Sequence, residues 1–326
     1  MTLDGRWNDL PDYIIGITKE IWEDRGISTL RDFYAPDIVV RSPASVVVGN
    51  GDVIGATMAT LAEFPDRALL GEDVIWCEDG AGGQLSSHRL YCTATHLGDG
   101  VYGPASGAKL AYRILADCHV SGTVIDDEWL VRDQGAIVRQ MGMTPEAFAV
   151  DLIEKEGGPS RCVPPYTPET ERAGPYTGSG NGNPWGARLA EILSRIMAAD
   201  MRVIPERYDR ACHLEYPSGR TAHSPDGADR FWMPLRAAFP KAAFTIHHAI
   251  GRDDPMMPPR AAVRWSLWGR HSGWGGFGAP TGAMVYVMGI THAEFGPFGP
   301  DGWSIRREWT LYDETAIWKQ IHLGAT

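Results

Sequence analysis

The spacing of hydrophobic positions changes along the chain from a helical period to an alternating one, and this change occurs twice. Five apolar residues near the start recur at helical spacing and predict one buried helix face: Tyr13, Ile14, Ile17, Ile21 and Trp22. Four later segments have the pattern of strands separated by glycine-rich turns: 68–76, 84–96, 108–120 and 123–131. Helices followed by consecutive antiparallel strands predict an α+β domain.

The same order of elements returns in the second half of the chain. The segment EWLVRDQGAIVRQMG at 128–142 matches EWTLYDETAIWKQIHLG at 308–324, with Glu-Trp, Asp, Ala-Ile and Gln in one order. Upstream matches keep that order as well: 33–43 with 207–217, 61–69 with 235–244, 89–96 with 264–271, and 103–107 with 278–282. A long ordered repeat of this kind predicts one small domain used twice.

The two copies are separated by a stretch rich in proline and glycine at 157–184, which is typical of a linker. A length of 326 residues also favours about two domains. We therefore predict a first domain at 8–154, a linker at 155–184 and a second domain at 185–324.

Composition excludes several classes of function. The net charge is −11 without any basic run, which argues against nucleic acid and anionic membranes as partners. Five cysteines without CxxC spacing indicate neither a disulfide framework nor a zinc site, and the adjacent pair His247-His248 would point to opposite strand faces, so no metal is expected. The start of the chain lacks signal-peptide features, and no apolar run approaches a membrane span, so we expect a cytoplasmic protein.

Three segments of the first copy resemble the SnoaL-like (polyketide cyclase) branch of the nuclear transport factor 2-like superfamily. They are FYAPDIVVRSP at 33–43, LAEFPD at 61–66 with EDVIW at 72–76, and DEWLVRDQGAIVRQMG at 127–142. The resemblance implies two tandem cone-shaped α+β domains, each with N-terminal helices packed on a curved antiparallel sheet that encloses a pocket. Domains of this fold usually pair through their sheets, so the two copies are expected to form an intrachain pseudo-dimer. A homo-oligomer is left open.

The resemblance also implies an Asp general acid/base assisted by a His on an earlier strand, without metal or cofactor. The matching positions are Asp133 and His119, with Asp313 and His292 as their counterparts in the second copy. Proton removal next to a carbonyl needs a group that titrates near neutral pH, as His does unaided and Asp does when desolvated. The tryptophans four residues before each acid, Trp129 and Trp309, would supply an apolar wall if the strands are regular.

Both acids also precede helical segments, so each is equally suited to cap a helix by accepting backbone N–H groups. The position of the hairpin turn decides whether Asp133 and His119 share a sheet face. A turn at Ser121-Gly122 separates them unless a bulge intervenes, and a turn at 126–127 brings them together.

Four further residues are candidate substrate contacts: Tyr34, Trp22, Arg89 and Arg264. An arginine at a strand start can bind a carboxylate through two hydrogen bonds, and the alternative is an interdomain salt bridge. For Tyr34 and Trp22 the alternative is core packing.

The expected function is cofactor-independent acid/base catalysis on a small carbonyl compound, such as aldol-type cyclisation, isomerisation or lyase chemistry. One alternative is a small-ligand-binding protein in which the two acids only cap helices. Another is an epoxide-hydrolase-like enzyme, for which Arg113 and Asp117 lie near His119 in sequence.

Overall fold

The computed structural model describes residues 5–325, which form two similar α+β halves joined by an irregular segment. The helices of the first half are α1 Leu10–Thr18, α2 Leu30–Phe33, α3 Asn50–Glu63, α4 Gln134–Gln140 and α5 Pro145–Lys155. A π-helical turn, Lys19–Glu23, and a 3-10 turn, Ile27–Thr29, connect α1 to α2. The helices of the second half are α6 Pro184–Met197, α7 Val203–Arg207, α8 Ser224–Ala238 and α9 Glu314–Gly324.

The predicted helix signals correspond to observed helix ends. Asp9 accepts a hydrogen bond from the backbone N–H of Asp12 at 2.9 Å, and Pro11 lies in the first turn of α1. The apolar face of α1 is buried as the spacing predicts, and α3 ends at Glu63, just before Pro65. Local sequence therefore determines where these helices begin and end.

Within residues 5–325 each half contains a six-stranded sheet. The first-half strands are β1 Tyr34–Ser42, β2 Ser45–Val48, β3 Ala68–Glu78, β4 Gln84–Thr95, β5 Lys109–Ser121 and β6 Val124–Arg132. The second-half strands are β7 Tyr208–Tyr216, β8 Arg220–His223, β9 Ala243–Arg252, β10 Arg260–Arg270, β11 Met284–Gly296 and β12 Ser304–Tyr312. The strand orders β2-β1-β6-β5-β4-β3 and β8-β7-β12-β11-β10-β9 are the same arrangement twice.

The expected fold of two tandem α+β cones is confirmed, with one difference in strand direction. The sheets are mixed rather than wholly antiparallel, because β1 runs parallel to β6 and β7 runs parallel to β12. Helix α3 connects β2 at one edge of the sheet to β3 at the opposite edge. After this crossover β6 returns beside β1 and runs in the same direction.

Each sheet has one face toward its own helices and one face toward the other domain. The helix-facing sides carry the two large hydrophobic cores. The opposite faces meet in a smaller cluster that draws on both domains: Leu115, Trp129, Val131, Tyr286, Met288, Ile290 and Leu311. The two sheets therefore pack against each other within one chain.

The hairpin between β5 and β6 turns at 122–123, where Gly122 adopts φ +64°. A bulge beside His119 shifts the register, so the N–H of Asp133 bonds to the carbonyl of Arg113 at 3.0 Å. The bulged alternative is therefore the observed one, and residues 113, 117 and 119 share the face turned toward the other domain.

The segment 156–183 carries neither helix nor strand but is tied to both domains. Tyr166 bonds through its N–H to the carbonyl of Pro43, and Tyr176 bonds through its N–H to Asp127. Gly180 bridges to Ala249 of β9. Across residues 5–325, no helix is long and apolar enough to cross a membrane.

Candidate functional site

A cavity of about 150 Å³ lies inside the cone of the first domain, between the sheet and helices α1 and α3. A cavity of about 150 Å³ can hold a molecule the size of benzene. Most of its wall is apolar. Besides three threonines and Cys118, five polar side chains interrupt that wall: Tyr34, Arg67, His88, Glu128 and Arg132. A small apolar pocket with a few convergent polar groups is the usual form of a ligand site.

Alternation along β6 places the polar groups in order. Glu128, Leu130 and Arg132 lie two residues apart and face the cavity, whereas Trp129 points to the other side. The strand register sets Glu128 beside Cys118 and Arg132 beside Ile114 of β5. Since a strand rises about 3.3 Å per residue, the backbones of Glu128 and Arg132 are roughly 13 Å apart.

Glu128 is the group in this cavity whose charge changes near neutral pH. Burial raises its pKa to about 7, although the neighbouring hydroxyl of Tyr34 favours the ionised carboxylate and opposes that rise. Burial lowers the pKa of His88 to about 4, so its imidazole is neutral at pH 7. The cavity thus pairs a titratable carboxyl with a neutral imidazole.

Arg67 and Arg132 are cations without an acidic partner. Arg67 is only 3% exposed, and its Nε and Nη1 donate to no acceptor among residues 5–325. The same holds for the buried Nε of Arg132. Within that described range neither arginine forms an ion pair, and the hydroxyl of Tyr112 is the polar neighbour of Arg67. Buried charges are normally paired, so these two arginines are suited to bind an anionic group.

The second domain keeps the fold but fills the corresponding space. Trp265 stands where the first domain has Leu90, and a Cβ on Gly289 would lie 2.2 Å from its indole. Gly289 corresponds to Ile114, because each pairs with the matching residues of its neighbouring strands. The loss of one side chain on β11 makes room for the tryptophan.

Three of the five polar side chains of the cavity are replaced in the second domain. Val263, Ala242 and Tyr312 stand at the positions of His88, Arg67 and Arg132. Tyr208 and Glu308 are kept at the positions of Tyr34 and Glu128. Burial raises the pKa of Glu308 to about 7, and the hydroxyls of Thr310 and Tyr216 donate to it at 2.6 and 3.3 Å. The second copy therefore keeps the cone but packs its interior with aromatic side chains.

Two of the sequence-predicted residues line the cavity of the first domain. Trp22 and Tyr34 both contribute to its wall and contact each other edge-on, with ring centroids 6.4 Å apart. Sequence reasoning missed Glu128, His88, Arg67 and Arg132. The available signal was the alternation along β6, since a residue next to Trp129 must face the opposite side of the sheet.

Asp133 lies between the domains rather than in the cone. Its Oδ1 accepts from the N–H groups of Ala136 and Ser218 at 3.0 and 2.7 Å, and its Oδ2 accepts from Gly219 at 3.0 Å. Burial raises its pKa to about 6 against the effect of these bonds. It borders an interdomain groove of about 490 Å³, but both of its carboxylate oxygens already accept hydrogen bonds from backbone N–H groups. The geometry thus favours the capping alternative for Asp133.

Asp313 caps its own helix. Its Oδ1 accepts from the N–H groups of Thr315 and Ala316 at 2.8 and 3.3 Å, and from the Thr315 hydroxyl at 2.7 Å. Burial raises its pKa to about 6. Both predicted acids therefore begin helices, α4 and α9, as helix-start preferences allow.

The two predicted histidines do not join these acids. His119 bonds to Asp126 and Asp79 at 2.6 and 2.9 Å, and it lies six residues, or roughly 20 Å, along β5 from the position opposite Asp133. Burial alone would lower the pKa of His119, but the two carboxylates raise it. The expectation that His119 and Asp133 share a pocket is contradicted, because the face they share packs against the other domain.

His292 is not the structural counterpart of His119. It pairs with Trp309 across β11 and β12, as Asp117 pairs with Trp129 across β5 and β6. Its ring lies 2.8 Å from the Ser87 hydroxyl and accepts from Arg89 at 3.4 Å. Burial and the neighbouring Arg89 lower its pKa well below the usual range. His292 is thus a neutral residue of the domain interface.

The remaining predicted contacts form a reciprocal interface. The guanidinium of Arg89 lies 3.5 Å from the ring centroid of Trp309, and that of Arg264 lies 3.7 Å from the ring centroid of Trp129. Each arginine covers the tryptophan of the other domain, as expected for a two-fold-related pair. These residues therefore belong to the domain interface, where Trp129 and Arg264 also line a cavity of about 550 Å³ and Trp309 borders the groove beside Asp133. Their contact with substrate stays a prediction.

The epoxide-hydrolase-like constellation is not assembled. Asp117 bonds to His248 and Arg264 of the second domain at 2.5 and 3.0 Å. Arg113 instead forms ion pairs with Glu72 and Glu215. Neither residue contacts a common space with His119, so the third alternative has no supporting geometry. Within the part of the chain that the structure describes, no group of three His, Cys, Asp or Glu side chains is arranged to hold a metal ion.

Asp133→Asn is expected to lower the free energy of unfolding by about 1–3 kcal/mol, because the new NH₂ group faces the N–H of Gly219. Asp313→Asn is the matched control, since only Oδ1 of Asp313 accepts in its cap and that oxygen is retained. Urea unfolding of both variants measures the difference. Equal losses would mean that the interdomain bonds of Asp133 contribute nothing.

Comparison with known proteins agrees with this architecture. The family model for SnoaL-like polyketide cyclases matches residues 13–141 and again residues 187–321. The comparison with curated proteins gave no match.

Three solved structures are similar to part of this chain. The putative polyketide cyclase IdmH from Streptomyces antibioticus is 22% identical, with 41% of this chain and 98% of that chain covered and a TM-score of 0.36. AclR, a putative hydroxylase from Streptomyces galilaeus, is 20% identical, with 40% of this chain and 94% of that chain covered and a TM-score of 0.35. A putative polyketide cyclase from Acidithiobacillus ferrooxidans is 18% identical, with 40% of this chain and 92% of that chain covered and a TM-score of 0.36. Since the family model matches more than half of the chain, in two consecutive segments, the protein belongs to the SnoaL-like polyketide cyclase family and carries its domain twice.

Proposed function

We propose that the first domain is a cofactor-independent acid/base enzyme that removes and returns a proton next to the carbonyl group of a small compound. Glu128 is the general base. The observation that carries this proposal is the Glu128 carboxyl, with a pKa of about 7, in a cavity that also holds two unpaired cations. A base poised near the working pH gives the best compromise between its charge state and its strength.

The step follows from the order of groups along the cavity. Ionised Glu128 takes the proton from the α-carbon, and the electron pair of that C–H bond moves into an enolate whose oxygen becomes negative. The positive potential of Arg67 and Arg132 stabilises that oxygen, because the cavity wall is apolar and screens little. Return of the proton to the same or a neighbouring carbon gives exchange or isomerisation, and attack of the enolate on a second carbonyl gives aldol cyclisation.

The role of the second domain in this proposal is to stabilise the first domain and to hold its sheet in position. Its own cone is filled, and its sheet covers the outer face of β5 and β6, which carry Glu128 and Arg132 on the inner side. A rigid support of this kind restricts the orientations of catalytic groups. We assign the chemistry to one cavity for each chain.

The test uses the full chain in D₂O with cyclohexanone and 4-oxopentanoate, and proton NMR follows the loss of α-hydrogen. The wild-type chain is expected to accelerate exchange of at least one of them. The double variant Leu90→Trp/Ile114→Gly copies the packing of Trp265 on Gly289 and should abolish exchange by filling the cavity.

The control is Leu70→Trp, at an exposed position of β3, which should exchange like the wild type. Circular dichroism shows that each variant is folded. Saturable binding of both compounds without exchange would replace catalysis by the small-ligand-binding alternative. Exchange that survives the filled cavity would locate the chemistry elsewhere, with the groove beside Asp133 as the next candidate.

A further inference from the structure

We propose that the substrate of this cavity is a small keto acid, whose carboxylate binds to Arg67 and Arg132 while its acidic C–H group faces Glu128. This inference rests on the proposed function, since it assigns the substrate class of the same site. Nothing in the acid/base step itself requires a carboxylate, so the arginines carry the argument.

The first support is the state of the two guanidinium groups. Three of their nitrogens are buried and donate to no acceptor among residues 5–325, as described above. Against the effect of burial, the charge of Asp313 favours the protonated form of Arg132 and so raises its pKa, but Asp313 forms no ion pair with it in the described structure. Planar guanidinium groups match carboxylates through paired hydrogen bonds, which makes a carboxylate the natural acceptor here.

The second support is charge balance. With Glu128 ionised and His88 neutral, the cavity holds two positive charges and one negative charge. A neutral ketone would leave one positive charge uncompensated in an apolar space, whereas a keto acid brings the sum to zero. When Glu128 takes the proton, its negative charge passes to the enolate, so the two cations again face two anionic groups. Buried charges are tolerated when they are paired in this way.

The third support is distance. Glu128 and Arg132 begin from backbone positions roughly 13 Å apart on one strand, and both side chains extend into the space between. His88 faces the middle of that span, because it pairs with Ala116, which in turn pairs with Leu130. The remaining room suits a molecule of about benzene's size, with its anionic and reactive ends several bonds apart.

The fourth support is the second domain, which serves as an internal comparison. It reaches the same fold with Ala242 and Tyr312 at the positions of the two arginines. The arginines are therefore not needed to form the cone. The second domain, whose cone is packed with side chains, lacks both arginines, whereas the first domain has them beside its cavity.

The experiment measures binding by isothermal titration calorimetry with 4-oxopentanoate and benzoate, each against its methyl ester. The wild-type chain is expected to bind each acid at least about 30-fold more tightly than its ester, as for a buried charge pair. In Arg67→Met and Arg132→Met this preference should fall toward unity. Arg31→Met, at an exposed position of α2, is the control and should keep the full preference.

Thermal unfolding separates loss of binding from loss of structure. Removal of an unpaired buried cation should leave the melting temperature of Arg67→Met and Arg132→Met unchanged or higher. Equal affinity of acids and esters in the wild type, or no binding of either acid, would overturn the inference. A preference that survives in both arginine variants would overturn it as well.

The outcome also distinguishes this inference from the proposed function. Glu128→Gln should keep the preference for acids and lose α-proton exchange. If exchange depends on Glu128 but acids and esters bind equally, the acid/base function stands and the keto-acid assignment fails. If acids are preferred through the arginines but no compound exchanges, the anion site stands and the acid/base function fails.

Discussion

Replacement of Glu128 by Gln is expected to lower the rate of α-proton exchange by about 10²- to 10⁴-fold, the usual contribution of a positioned general base. Gln has nearly the same volume and still reaches the hydroxyl of Tyr34, so the cavity keeps its shape while the base is lost. The rate of exchange in D₂O, measured by proton NMR at saturating ketone or keto acid, reports the change.

The pH dependence of that rate gives a second readout of the same group. Because Glu128 acts in its ionised form, the wild-type rate should rise with pH through a midpoint near the pKa of about 7. Any residual rate in Glu128→Gln should lack this midpoint. A rate that falls with rising pH across the same range would identify a required acid in place of the base.

Glu308→Gln is the matched control, because the corresponding residue in the second domain has the same pKa of about 7 but lies in a cone packed with aromatic side chains. It should exchange at the wild-type rate with the wild-type pH midpoint. If Glu308→Gln lost activity as fully as Glu128→Gln, the assignment to one cavity would be wrong. A wild-type rate in Glu128→Gln would exclude Glu128 as the base.

Asp117→Leu is expected to lower the free energy of unfolding by about 3–5 kcal/mol, because it leaves the buried Arg264 without its partner. Burial would raise the pKa of Asp117, but His248 and Arg264 hold it at about 2, so the carboxylate is ionised in the folded state. Burial lowers the pKa of His248, whose Nε2 lies 2.5 Å from Oδ2 of Asp117. Urea unfolding at neutral pH measures the loss.

Two comparisons show whether the loss comes from the orphaned charge. The double variant Asp117→Leu/Arg264→Met should recover much of the stability, since both charges are then removed. Asp24→Ala breaks the exposed ion pair with Lys19 and should change nothing measurable. Additive losses in the double variant would mean that Asp117 and Arg264 do not stabilise the interface as a pair.

In each domain, one face of the sheet forms the domain interface and the other face lines the inside of the cone. In both domains the outer face carries the paired Trp and Arg residues that bind the domains together. On the inner face the two copies have diverged, and only the first has kept space beside its glutamate. The duplication therefore preserved assembly in both copies and a cavity in one.

The sequence by itself determined the architecture. Apolar spacing, proline positions and glycine-rich turns placed most helices and strands within a few residues of the observed bounds, because these signals act between near neighbours in the chain. The ordered repeat predicted two copies of one fold, and the family model matches both. Trp22 and Tyr34, named from the sequence as candidate substrate contacts, both line the cavity, since the apolar face of a helix and the start of β1 meet the core directly.

Only the tertiary structure decided which side of β6 faces the cavity. A strand offers alternate residues to its two faces, and the sequence contains no local sign of which face a second domain will cover. The sheet contact buried Trp129 and the face of His119, Asp117 and Arg89, while the bulge after His119 set Asp133 against the backbone of the second domain. Glu128, one residue from Trp129, was thereby turned into the cone, where Arg67 and His88 reach it from distant parts of the chain.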